Sequence, residues 1–154
     1  MRKKIDKYLG GLLTILMIVM TLDVLWGVFT RYAMGNQASW SEELARFLLI
    51  WIGILGAAYA SGQKMHLAID LLSPKLNDEN KQRIDLLIKG LIILFAFLVL
   101  VVGGGRLIYI SQTLGQTSAA LKLPLSIVYS VLPISGLLII YYKLTEHTPT
   151  VLDS

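Results

Sequence analysis

The sequence predicts an all-α integral membrane protein: four transmembrane helices, both termini cytoplasmic, and a short interfacial amphipathic segment between helices two and three. Three observations carry that reading. Of the 154 residues, 55% are hydrophobic and only 16% charged, with a mean hydropathy of +0.67, whereas soluble domains are nearer 45–50% apolar and about 25% charged. The apolar residues gather into runs of about 20, the length of helix that crosses a bilayer. The Lys and Arg residues, finally, alternate between rich and poor connections.

The first run spans 9–32 and contains "LLTILMIVMTLDVLWGVF". Its "MRKKIDK" prefix resembles the start of a signal peptide, but the apolar part exceeds the ~7–15 residues of such a segment. An uncleaved anchor is expected. The second span, 40–61, opens with Ser39 and Glu42 at the S-x-x-E spacing of a capping box, which would satisfy free amides at the helix start. The third covers 86–109 and the fourth 124–144. Pro124 suits the first helical position, and Pro133 inside the last span predicts a kink. Together these make one four-helix membrane domain, residues 1–154.

Orientation follows from the basic residues. Arg2, Lys3, Lys4 and Lys7 precede span one; Lys64, Lys75, Lys81, Arg83 and Lys89 fall in the middle connection; Lys143 lies at the last span's end. The other two connections hold Lys122, with Arg31, Arg46 and Arg106 at or inside span ends. Cytoplasmic loops carry the Lys/Arg excess, so both termini face the cytoplasm. "MHLAIDLL" has its apolar residues on one face and is expected to lie in the interface.

The charged side chains are the candidate functional residues. Asp23 is the most deeply placed, roughly 21 Å along helix one from Leu9. A carboxylate there calls for a partner or a transported ion. Arg46, roughly 9 Å into helix two, is the expected partner. Glu42 and Glu43 stand at i,i+4 and i,i+3 to Arg46, so this cluster can also satisfy itself. Adjacent helical positions point about 100° apart, which argues against a shared catalytic role for the two glutamates. His66 and Asp70 form an i,i+4 pair on the interfacial segment, suited to headgroups or a partner subunit.

Gly103, Gly104 and Gly105, followed by Arg106, lack the spacing of a dinucleotide loop. They are read as a close-packing surface, as are Gly53 and Gly56 with Ala57 and Ala60. Trp26, Trp40, Trp51, Tyr141 and Tyr142 are expected as interface anchors. The absence of cysteine excludes disulfides and thiolate sites. Neither histidine, His66 nor His147, lies within a span, which disfavours haem. No enzyme motif, catalytic residue, cofactor site or metal site is read from the chain.

"RY" at Arg31–Tyr32, "WSEELARFLLIWIGILGAAYA", "HLAIDLL" and "LKLPLSIVY" occur in that order. The set resembles the small membrane subunit of tripartite ATP-independent periplasmic (TRAP) transporters, over roughly residues 8–145. The resemblance implies a non-catalytic scaffold in the bacterial inner membrane, within a sodium-driven uptake system for organic acids, sialic acid favoured. Its implied partners are a large elevator-type membrane subunit as a separate chain, a periplasmic substrate-binding protein and membrane lipids, with no nucleic acid. Sodium would bind the large subunit. Arg31, Trp40, Glu42, Glu43, Arg46, His66 and Asp70 carry over as helix-ordering or subunit-contact residues. The rival expectation is a self-sufficient homodimeric transporter coupled through Asp23.

Overall fold

The computed structural model describes residues 2–36, 38–63 and 78–145, and these are helical almost throughout. Helix α1 runs Arg2–Ala33 and α2 Ser39–Gly62. The third span is one continuous rod built from α3 (Asp78–Phe95), a π-helical stretch (Ala96–Gly103) and α4 (Gly104–Thr113). The fourth comprises α5 (Leu125–Tyr129) and α6 (Val131–Leu144). Among the described residues, four helical segments, Arg2–Ala33, Ser39–Gly62, Arg83–Thr113 and Leu125–Leu144, are long and apolar enough to cross a membrane. An even number of crossings returns the chain to the side on which it began.

These helices form an open row rather than a closed bundle. α1 packs on α2, α2 on the fourth span, and the fourth span on the third; the first and third spans make no substantial contact. One core cluster joins Leu9, Leu55, Val131 and Tyr142; a second joins Ala58, Ala96 and Ile139. The fourth span is therefore the keystone, with Val131, Ser135 and Tyr142 fully enclosed. Ser130 and Ser135 are satisfied locally: Ser130 Oγ donates to the Ile127 carbonyl and Ser135 Oγ to the Val131 carbonyl, each at 2.6 Å.

Small residues set the closest approaches. A Cβ on Gly136 would lie 2.8 Å from Leu100 Cβ and 3.1 Å from the Ala96 carbonyl. On Gly104 it would lie 2.7 Å from Leu132 Cβ and 3.0 Å from Pro133 Cδ. These two glycines make the seam between the third and fourth spans. The expected kink at Pro133 appears as a break at Ser130 (φ −60°, ψ −22°) between α5 and α6. Proline has no N–H for the carbonyl four residues back, so the ladder opens there. Trp51 Nε1 donates to the nearby Val128 carbonyl at 3.1 Å.

The structure corrects several expectations. Ala38, not Ser39, is the N-cap of α2, and no side chain caps it. Ser39 has already entered the helix, so its hydroxyl cannot occupy the capping position. Trp51 and Tyr142 are not belt anchors: Trp51 bonds the fourth span, and Tyr142 has no exposed surface. The Tyr142 hydroxyl donates to Asp6 Oδ1 at 2.6 Å, while Arg2 lies over its ring and donates to the Gly62 carbonyl. Those contacts draw the basic N-terminal stretch into α1, which begins at Arg2 rather than with the apolar run. Lys89, counted above with the middle connection, is a buried helical residue paired with Asp85 at 3.0 Å. The π-helical stretch was not anticipated. The Gly104 amide reaches back five residues to Val99 as well as three to Val101, and π turns of this kind cluster where helices serve a function.

Candidate functional site

The outer ends of α1 and α2, together with the connection between α4 and α5, gather most of the predicted residues. α1 overhangs α2. The Ala38 amide meets Thr30 Oγ1 at 3.4 Å, and Ser41 Oγ donates to the Asp23 carbonyl at 3.0 Å. Asp23 therefore stands level with the first turns of α2, although α1 continues ten residues past it, about 15 Å. The sequence-based depth assumed helix ends of equal height; the overhang removes that assumption. Asp23 is nevertheless enclosed, at 7% exposure, and neither carboxylate oxygen meets a donor among the described residues.

Arg46 does not pair with Asp23. It bonds Glu42 Oε1 at 3.3 Å on the exposed side of α2, with both side chains more than 60% exposed. An ion pair so open to its surroundings contributes at most about 1 kcal/mol, and Arg46 holds no buried acid. Glu43, one position on and about 100° around the helix, does something different. Its carboxylate accepts three successive backbone N–H groups: Ala119 at 3.0 Å, Ala120 at 2.9 Å and Leu121 at 2.8 Å. The Ser118 amide bonds the Leu123 carbonyl, Leu123 N–H reaches Ser118 Oγ, and Lys122 takes a left-handed φ of 54°. Converging amides form a nest for negative charge, and Glu43 fills it from a different helix.

That staple was missed because the adjacent glutamates were both assigned to Arg46. One signal was present: neighbours on a helix diverge, so a single arginine cannot serve both well. Glu43→Gln is expected to leave the spans folded while loosening the 116–124 connection. Backbone amide exchange at Ala119, Ala120 and Leu121 should accelerate by about tenfold or more, with little change in α6. Unchanged exchange at those amides would contradict the staple.

The remaining predicted residues are dispersed. Arg31 is exposed in the last turn of α1, and Trp40 is 42% exposed. His66 and Asp70, with the interfacial segment that carries them, lie outside the described residues. Of the five glycines, Gly104 alone packs a neighbouring helix. Gly53, Gly56 and Gly105 have open space where a side chain would sit, and Gly103 meets only the Leu98 carbonyl of its own rod. Most of the remaining charges occupy two layers, Glu42, Glu43 and Arg46 outside and Arg2, Asp6, Asp85, Lys89 and Lys143 inside, with Asp23 and Arg106 lying between them.

Four apolar spans in an open row, with broad greasy flanks and most of their charges toward the two ends, define a multi-pass membrane subunit. Residues 15–147 match the family model described as "Tripartite ATP-independent periplasmic transporters, DctQ component". The chain belongs to this family, the small permease subunits of TRAP transporters, which are multi-pass inner-membrane proteins. It is 24% identical over 147 residues to a Haemophilus influenzae protein named as a TRAP transporter small permease, covering 96% of this chain and 89% of that one. It is 32% identical over 128 residues to the isethionate TRAP transporter permease DctMQ of Oleidesulfovibrio alaskensis, covering 82% of this chain but 20% of that longer protein. With the sialic acid TRAP transporter small permease SiaQ of Vibrio cholerae it shares 33% identity over 89 residues, 57% of this chain and 50% of the relative.

Proposed function

We propose that this chain is the static, non-catalytic scaffold for a large elevator-type permease in a sodium-driven organic-acid uptake system, and that it helps a periplasmic binding protein dock. One observation carries the reading. The ionic groups of the described spans are largely used on the fold itself: Glu43 on the outer connection, Asp85 on Lys89, Asp6 on Tyr142. A scaffold needs that immobility; an elevator needs mobile polar contacts. The Glu43 staple also holds the outer surface in one shape, as a docking platform requires. Sialic acid is the favoured cargo, supported by the similarity to SiaQ, with C4-dicarboxylates and sugar acids behind it; relatives named for isethionate and for C4-dicarboxylate are matched as well.

The test is affinity purification of the tagged chain from native membranes in mild detergent. A stoichiometric many-span partner is expected, with sodium-dependent sialic acid uptake in vesicles requiring that partner and the binding protein. Uptake by this chain alone would refute the proposal. One observation favours the rival, a self-coupled homodimer: the enclosed carboxylate of Asp23, without a donor among the described residues. Under that reading Asp23→Asn abolishes transport by the chain alone; under the scaffold reading there is no such transport to abolish.

A further inference from the structure

We infer that the outer half of the third span, on the face bearing Leu98, Val102, Gly105, Arg106 and Tyr109, is where the large permease docks, through a helix that brings a carboxylate to Arg106. The inference rests on the scaffold reading and deepens it. The open row leaves the third span at one edge, and its inner side is spent on Leu132, Pro133 and Gly136. Leu98, Val102 and Tyr109 are each at least half exposed, and they recur at helical spacings with Gly105 and Arg106, both also exposed.

Arg106 decides what covers this face. It makes no ion pair or hydrogen bond with any described residue. It lies seven residues, about 10 Å, inside the end of the rod at Thr113. Helical side chains lean toward the helix N-terminus, which here carries the guanidinium away from the nearer membrane surface. A lipid phosphate would have to be reached against that lean, whereas an acid on a neighbouring helix meets it directly. A guanidinium left facing hydrocarbon within the span is unfavourable, and intramembrane arginines are normally met by an acid or by carbonyl groups.

A second copy of this chain fits poorly. A two-fold contact places the same patch on both subunits, setting Arg106 against Arg106. A different helix with an acidic residue meets the requirement, and the bare backbone at Gly105 admits it closely. The match to a fifth of the longer DctMQ chain shows a small-permease sequence covalently joined to further protein, so a neighbour of this kind is available to the family.

The chain contains no cysteine, so one introduced thiol is unique within it. Gly105→Cys, Tyr109→Cys and, on the α1 edge, Ile18→Cys are each co-expressed with the large permease and labelled with benzophenone-maleimide in membranes. After irradiation, adducts of the combined mass of the two subunits are expected from positions 105 and 109 and not from 18. Adducts only from position 18, only with lipid, or only between two small subunits would overturn the docking face. Failure of the unmodified chain to retain any large permease would instead overturn the scaffold reading beneath it. Arg106→Glu should reduce co-purified permease by about tenfold or more while leaving the melting temperature of the isolated subunit unchanged. Reversing the acid on the cross-linked helix to arginine should restore the pair. Full retention of permease by Arg106→Glu would remove the charge contact from the proposal and defeat it.

Discussion

Gly136→Leu is expected to destroy the folded subunit, whereas Gly53→Leu should leave it intact. At Gly136 even the first added carbon would stand 2.8 Å from Leu100 Cβ, 2.9 Å from Val101 Cγ2 and 3.1 Å from the Ala96 carbonyl. The obstruction includes backbone, which cannot rotate aside as a side-chain tip can. Overpacking a core by a few methylenes costs about 1–3 kcal/mol. Here the third span must move bodily off the fourth, exposing Ala96 and Ile139, so the upper end of that range is the minimum expected. At Gly53 no atom lies within 4 Å of a built Cβ. Replacing glycine inside a helix also gains up to about 1 kcal/mol of propensity. Thermal unfolding of the two purified variants in the same detergent checks the contrast. Equal melting temperatures would contradict a close-packed seam between the third and fourth spans at Gly136.

Glycines also show what the sequence could and could not disclose. Four runs of about 20 apolar residues declare four helices, because the bilayer demands that length wherever the chain crosses. Which side of each helix meets a neighbour is not written locally when the chain is apolar all round. Gly53 and Gly104 look alike as members of small-residue stripes, yet one faces open space and the other touches Pro133. Trp51 and Tyr142 carry the chemistry of interface anchors, but the break at Ser130 exposes a carbonyl for the first, and Asp6 waits for the second. An Asp23–Arg46 pair requires helix ends of equal height, and the overhang of α1 breaks that register. Glu43 was hidden for a further reason. Its ligands are backbone amides of a connection 76 to 78 residues away, and amides have no sequence signature. The charge cluster was visible, but its division of labour depended on tertiary placement.

Asp85→Ala should prove nearly as damaging as the glycine substitution, although it removes only a side chain. Asp85 Oδ2 lies 3.0 Å from Lys89 Nζ, and the two side chains are 14% and 10% exposed. The acid precedes the base by one helical turn, the orientation that agrees with the helix dipole. Pairs this enclosed add little net stability when intact, since both ions were taken from water. Removing one member costs about 3–5 kcal/mol, because the other charge stays buried. Lys89 makes further contacts within the fold, which argues for the lower end, about 3 kcal/mol. The double variant Asp85→Leu with Lys89→Leu separates the two effects. With neither charge left to bury, it should recover most of the lost melting temperature, and could exceed the parent. If instead the double variant melts as low as Asp85→Ala, the pair acts through a geometry that leucines cannot reproduce. The inner charge layer would then help position the third span, the rod on which Arg106 and the proposed docking face are carried.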